Sequence, residues 1–289
     1  MIKKRKHEIA TVPDAFEDKI SSLSELVAPV EGQLSAVEIR CLALLASSPT
    51  AKGCILEIGS FKGRSTIVLA VASSWTLANK VVAVDPFSSP AETDPDLKGL
   101  PSAKADFENN LTSAGVIGAV EVHEMLSTQL AEVWPPNKMI RLLWIDGDHT
   151  FKGTHSDFDR FKRFLSPGAI VAFHDVLHAY PGPASVFCEE VLASESFGAW
   201  GLCGSIGWAQ YCPDKSKQQG VKSKKTVIKL LRLMKPLIEN RGRMTVAKKL
   251  FYKMLRALVP HGPMDIHYWV ESVVNLSLVD DEEITGDQK

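Results

Sequence analysis

Two short stretches concentrate side chains able to do acid–base or metal chemistry. "IDGDH" (145–149) sets Asp146, Asp148 and His149 behind the apolar run RLLW, and "FHD" (173–175) sets His174 and Asp175 behind GAIVA. Carboxylates crowded together repel unless a proton or a cation is shared among them. A divalent ion on oxygen ligands meets that need, and it can also hold a substrate hydroxyl and lower its pKa. His149, as an imidazole that titrates near neutrality, is a candidate general base with or without an ion. Asp148 reads equally well as a cap for the next helix. His155 and His178 read as surface or core residues.

A third stretch, "LEIGSFKGRST" (56–66), places Glu57, Gly59 and Gly63 where a strand turns into a helix. Glycines there allow a tight turn and a close approach of ligand to backbone. The helix that starts near Arg64 offers its free N–H groups and positive dipole end to an anionic group. The spacing excludes two common phosphate loops. Phe61 stands where a dinucleotide G-x-G-x-x-G needs glycine, and Arg-Ser follows Gly63 where a P-loop needs Lys-Ser or Lys-Thr. What remains is E-x-G-x-x-x-G, with Asp85 closing the next apolar run 22 residues after Gly63. A carboxylate at that point can accept from both hydroxyls of a ribose.

The elements that position these residues alternate in type. Apolar runs at 54–59, 81–85, 120–126, 141–146 and 168–175 read as strands, separated by helical segments at 64–75, 101–115, 127–134 and 154–165, with another helix around 184–194. Strands that are apolar throughout imply a parallel sheet covered on both faces, an α/β doubly wound fold whose ligands bind beyond the carboxyl ends of the strands. "FGAWGLCG" and "IGWAQYC" read as a closing antiparallel pair. Three segments are expected: a helical prelude (1–50) with Ser35 as N-cap of a helix, the main domain (51–212), and a basic helical extension with an acidic tail (213–289). In the extension, a polar linker leads to two amphipathic basic helices, the first interrupted by Pro236. "HGPMDIHYWVE" (261–271) is expected as a lid over the mouth, with His267, Tyr268 and Trp269 suited to substrate contact. "DDEEITGDQK" is expected to be an unstructured tail.

Charge is unevenly spread. The formal net charge is -1, yet residues 215–258 hold 14 Lys and Arg against the single Glu239, leaving 19 basic and 33 acidic residues elsewhere. An acidic body with a basic arm points to an anionic partner or to self-association, so residues 225–258 read as helices packed on the acidic body or on a second subunit of a homo-oligomer, with peripheral membrane contact as the alternative. Nucleic acid is not expected, because aromatic residues are sparse among these lysines. The five cysteines have no zinc spacing and fit a reducing compartment. The basic start "MIKKRK" is not followed by an apolar stretch, and no run approaches the length of a membrane span. A cytoplasmic protein is the expectation.

On "LEIGSFKGRST" and "VVAVDPF" the chain resembles the class I S-adenosylmethionine-dependent methyltransferases, over roughly residues 35–212. The resemblance implies S-adenosylmethionine as cofactor. Glu57, Gly59, Ser60, Gly63 and Ser65 would then surround the methionine part, with Asp85 at the ribose, Ser127 near the adenine and Asp146 beside the cofactor. "IDGDH…FHD" resembles a small-molecule subfamily related to the metal-dependent O-methyltransferases. That resemblance implies Asp146, His174 and Asp175 as ligands of a divalent metal (Mg, Mn or Fe), with His149 and Asp146 catalytic and His149 the base. An imidazole at position 174 departs from the usual carboxylate and shifts the preference away from Mg²⁺. The implied function is O-methylation of a small hydroxylated acceptor, a sugar or secondary metabolite. The alternatives are a metal-dependent hydroxylase on the same fold, or a non-catalytic protein of this fold that binds membrane or protein through its basic helices.

Overall fold

The computed structural model describes residues 11–77, 79–87, 102–178, 180–218, 222–238 and 245–273. The basic start, most of the loop after Phe87 and the acidic tail lie outside the described residues. Seven strands form one sheet in the order β3-β2-β1-β4-β5-β7-β6. β1 (Cys54–Ile58), β2 (Val81–Val84), β3 (Val120–His123), β4 (Ile140–Ile145) and β5 (Leu165–Phe173) run parallel. β6 (Phe197–Cys203) and β7 (Ile206–Tyr211) form the antiparallel pair that closes the sheet against β5. The order reverses between β1 and β4, which is where a sheet of this kind opens a crevice.

Side-chain alternation along the strands builds two cores. Ile55 and Trp144 face one side, among residues of α1 (Phe16–Val27), α2 (Ala36–Ser47), α3 (Arg64–Ser74) and α4 (Lys104–Ser113). Leu56 and Ile145 face the other, among residues of α5 (Ser127–Val133), α6 (Phe151–Phe161) and α7 (Pro181–Val186). Because both faces are covered, the central strands β1, β2, β4 and β5 are mainly apolar, whereas the edge strand β3 is partly exposed and carries Glu121 and His123. α7 continues as a π-helical turn over Phe187–Leu192.

The prelude and the extension belong to these two layers. α2 begins with a capping box in which Ser35 and Glu38 satisfy each other's end of the helix. α8 (Lys225–Ile238) buries Val227, Leu231, Met234 and Ile238 in the second core. It is not interrupted by Pro236, which falls in its last turn, where the cost of a missing N–H is confined to the helix end. α9 (Val246–Leu258) buries only Leu255. α10 (Ile266–Ser272) is no lid. Its Trp269 is fully buried in the first core, packed edge-on to Trp208 and donating its indole N–H to Ser48 Oγ at 2.8 Å.

Candidate active site

The turn after β1 is shaped by close packing. Gly59 has φ 85°, and a Cβ there would lie 2.2 Å from the carbonyl oxygen of Asp146. The glycine loop and the end of β4 are therefore in direct contact. Gly63, at φ 89°, caps α3, and a Cβ there would strike the Leu111 side chain at 2.6 Å. Behind this loop, Glu57 is fully buried and accepts from Ser60 Oγ (2.9 Å), Ser65 Oγ (2.6 Å) and Thr66 Oγ1 (2.5 Å). Burial pushes its carboxyl up to about 7, against the downward pull of these hydroxyls. Glu57, Ser60 and Ser65 are linked by hydrogen bonds within the loop. Tied to one another in this way, they brace the loop from inside.

Asp85 occupies the expected place at the end of β2, oriented by three main-chain amides. Ser60 N (2.8 Å) and Phe61 N (2.9 Å) donate to Oδ2, and Phe87 N donates to Oδ1 at 2.7 Å. Each carboxylate oxygen offers about two acceptor positions, so Oδ1 retains capacity for a further donor. Ser127 opens α5 beyond the end of β3, and its hydroxyl donates to Asp157 Oδ1. Asp157 was not anticipated. It lies on the inward face of α6 with Thr154, Phe158 and Phe161, and burial raises its carboxyl to about 7. The spacing 154, 157, 158, 161 marks an acid on an apolar helical stripe, a signal available in the sequence.

The ends of β4 and β5 bring the acids and histidines together, with His149 rather than His174 between the two aspartates. His149 Nε2 lies 3.2 Å from Asp175 Oδ2 and 3.6 Å from Asp146 Oδ1, with its ring stacked on Tyr180 at 4.4 Å. Asp146, His149 and Asp175 each offer an atom within 4.8 Å of the others, the one such metal-competent group among the described residues. His174 stands behind them. Its Nδ1 is 3.1 Å from Asp146 Oδ1, and its Nε2 faces Glu38 Oε1 at 3.8 Å. With both ring nitrogens turned to carboxylates, His174 is placed to support Asp146, whereas His149 fills the position expected for it. Strand alternation accounts for the difference. His174 falls on the same face as Ala172 and Trp144, toward α2, and Asp175 then turns the chain at φ 58°.

Charge alternates along this chain of groups. Burial opposes the protonation of His149, but Asp146 and Asp175 prevail and raise it to about 9. Burial likewise opposes the ionisation of Asp146, yet His174 and His149 hold it down at about 2. Burial is also outweighed at Glu38, where His174, Ser205 and Ser35 keep the carboxyl well below the usual range. Glu38 was missed, although S-x-x-E at 35–38 is a readable capping box. Asp148 does cap the turn before α6, accepting from Thr150 N at 2.8 Å. His178 is exposed and His155 half-buried.

Residues 56–176 match a protein family described as a methyltransferase domain. Over that stretch the chain is similar to a methyltransferase domain. The fold is that of the solved O-methyltransferase NovP, with a TM-score of 0.54 over 68% of this chain and 98% of that one, at 11% identity. Weaker likenesses include the O-methyltransferase TomG of Streptomyces achromogenes, solved with S-adenosylmethionine (21% identity, 70% and 92% covered, TM-score 0.48). Another is an O-methyltransferase of Bacillus cereus solved with S-adenosylhomocysteine (19% identity, 67% and 90% covered, TM-score 0.48). The match ends at Val176, so it spans both the glycine loop and the histidine–aspartate cluster.

Proposed function

We propose that the protein transfers a methyl group from S-adenosylmethionine to a hydroxyl of a small acceptor, a sugar or secondary metabolite, at the mouth formed by Asp146, His149 and Asp175. The observation that carries this reading is the contact between the two halves of the site. Gly59 of the cofactor loop packs directly on the main chain of Asp146, whose side chain faces His149. An acceptor oxygen beside His149 is then also beside the donor loop, and positioning of that kind supplies much of the acceleration in a displacement needing no covalent help. The donor contributes an electrophilic methyl on a sulfonium. Asp85, held by three amides, would bind the ribose, and Ser127 would stand near the adenine.

His149 must shed its proton before it can take one from an acceptor hydroxyl, and the two aspartates oppose this. The donor set of two carboxylates and an imidazole fits a divalent cation such as Mn²⁺ or Fe²⁺. Such an ion would be held by Asp146, Asp175 and His149, and would replace the imidazolium as the charge that neutralises the aspartates. His174 and Glu38 would then keep Asp146 ionised and oriented. All five cysteines are free, which suits a cytoplasmic setting.

The test is calorimetric titration of the metal-stripped full chain with S-adenosylhomocysteine, then with Mg²⁺, Mn²⁺ or Fe²⁺ added. Micromolar binding is expected, weakened at least about tenfold in Asp85→Ala, a loss of about 1.4 kcal/mol. His149→Ala should bind almost as well as the parent while transferring methyl more slowly. Absence of binding under every condition would remove the methyltransferase reading, and equal loss of affinity in both variants would remove the division of labour between cofactor and chemistry residues.

A further inference from the structure

α9 is attached to the molecule by a narrow strip. Leu255 is its only buried residue, and Tyr252, half-buried, donates its hydroxyl to the carbonyl oxygens of Leu177 (2.7 Å) and His178 (3.3 Å). A second stripe, running from the far side of the helix round to the flank of Leu255, is apolar and open. Val246, Leu250, Met254 and Leu258 are 84%, 68%, 51% and 62% exposed. They recur every four residues, so they form one stripe along the helix, and Phe251, also exposed, widens it. Lys249 and Lys253 border that stripe, displaced from it by less than a quarter turn. A stripe of this length on an ordinary surface helix would be turned inward.

The charge around the stripe indicates what covers it. Residues 222–238 and 245–258 contain ten Lys and Arg and no Asp or Glu. On α8, the neighbour of α9, Lys229, Arg232 and Leu233 are exposed as well. A second copy meeting this face through a two-fold axis would set like charges against each other. An anionic lipid surface supplies both requirements: negative headgroups for the lysines and an acyl boundary for Val246, Leu250, Met254 and Leu258. Among the described residues no helix is long and apolar enough to cross a membrane, so contact through this helix lies in the surface. We propose that α9 is a docking helix for anionic membrane surfaces. It is independent of the methyl-transfer reading, because it uses none of the site residues.

The test is co-sedimentation of the full chain with phosphatidylcholine vesicles, with and without phosphatidylglycerol, beside measurement of its mass by light scattering. Binding is expected on the anionic vesicles, with little on the neutral ones, and it should weaken as salt is raised. Lys249→Gln with Lys253→Gln should reduce partitioning about 25-fold, taking roughly fivefold for each surface lysine. Leu250→Ser with Met254→Ser should abolish it, and because these side chains are exposed, both variants should melt with the parent. Three results would overturn the proposal: a chain that stays in solution with both vesicle types, binding that neither double variant alters, or a dimer that the Leu250/Met254 variant dissolves while the parent ignores lipid.

Discussion

Glu57 and Asp157 are two carboxyl groups enclosed within the molecule rather than exposed at its mouth, and each is pushed up to about 7 by burial. A carboxyl whose pKa rises on folding favours the native state while it is protonated. Its contribution is complete below the unfolded value near 4.5 or 3.8 and is lost as pH rises through about 7. For Glu57 this amounts to about 3 kcal/mol. The parent protein should therefore lose thermal stability between about pH 5 and 8, and Glu57→Gln, a neutral side chain of the same shape, should flatten that slope in thermal melts at several pH values. An unchanged slope in both Glu57→Gln and Asp157→Asn would show that neither group carries a proton in the folded state. His149, raised to about 9, carries the same sign in a later window, between about 6.5 and 9. At this scale the sequence was informative about which residue types gather, as with Asp146, His149 and Asp175. It marked Asp157 and Glu38 only as an acid on an apolar stripe and an acid in a capping box; what surrounds them includes residues 30 and 167 positions away, Ser127 and Ser205, which local spacing does not reveal.

Among the elements, the β1–α3 turn is the one whose conformation the site depends on most directly. Gly59→Ala would require a left-handed backbone at a residue with a Cβ and would drive that Cβ into the Asp146 carbonyl. The expected loss is at least about 2 kcal/mol. Gly118→Ala, with nothing within 4 Å of its Cβ position, should be close to neutral and serves as the control in denaturant unfolding. Equal effects of the two substitutions would mean that the loop relaxes freely away from β4. The strands were legible in the sequence because apolar runs punctuated by glycine and aspartate leave few alternatives. The exchange between His149 and His174 was hidden by a local feature: pleat alternation continues through His174, while His149 hangs from the loop beyond β4. Counting alternation from Trp144 and Ala172 would have turned His174 toward α2.

For the whole molecule, helices from before residue 50 and from beyond residue 213 pack into the same two cores as the strands. α2 and α10 enter the first core, and α8 enters the second. Composition cannot reveal this, because an amphipathic helix looks the same whether its apolar face meets its own sheet or another partner. Trp269→Ala should accordingly destabilise the entire chain by about 3–5 kcal/mol, visible as a single cooperative transition at lower denaturant. A separate early transition with the main one unmoved would make the end of the chain an independent unit. The exposed stripe of α9 was the part of the extension whose role the sequence left open, between lipid and a second copy. Its tie to the site is the Tyr252 hydroxyl, which grips the chain two and three residues beyond Asp175. If α9 docks on lipid and the site transfers methyl groups, a catalyst anchored so near its own reacting groups would search for acceptors in two dimensions. Its turnover would follow the mole fraction of acceptor within the surface, and diluting that surface with inert lipid would slow it even at constant bulk concentration.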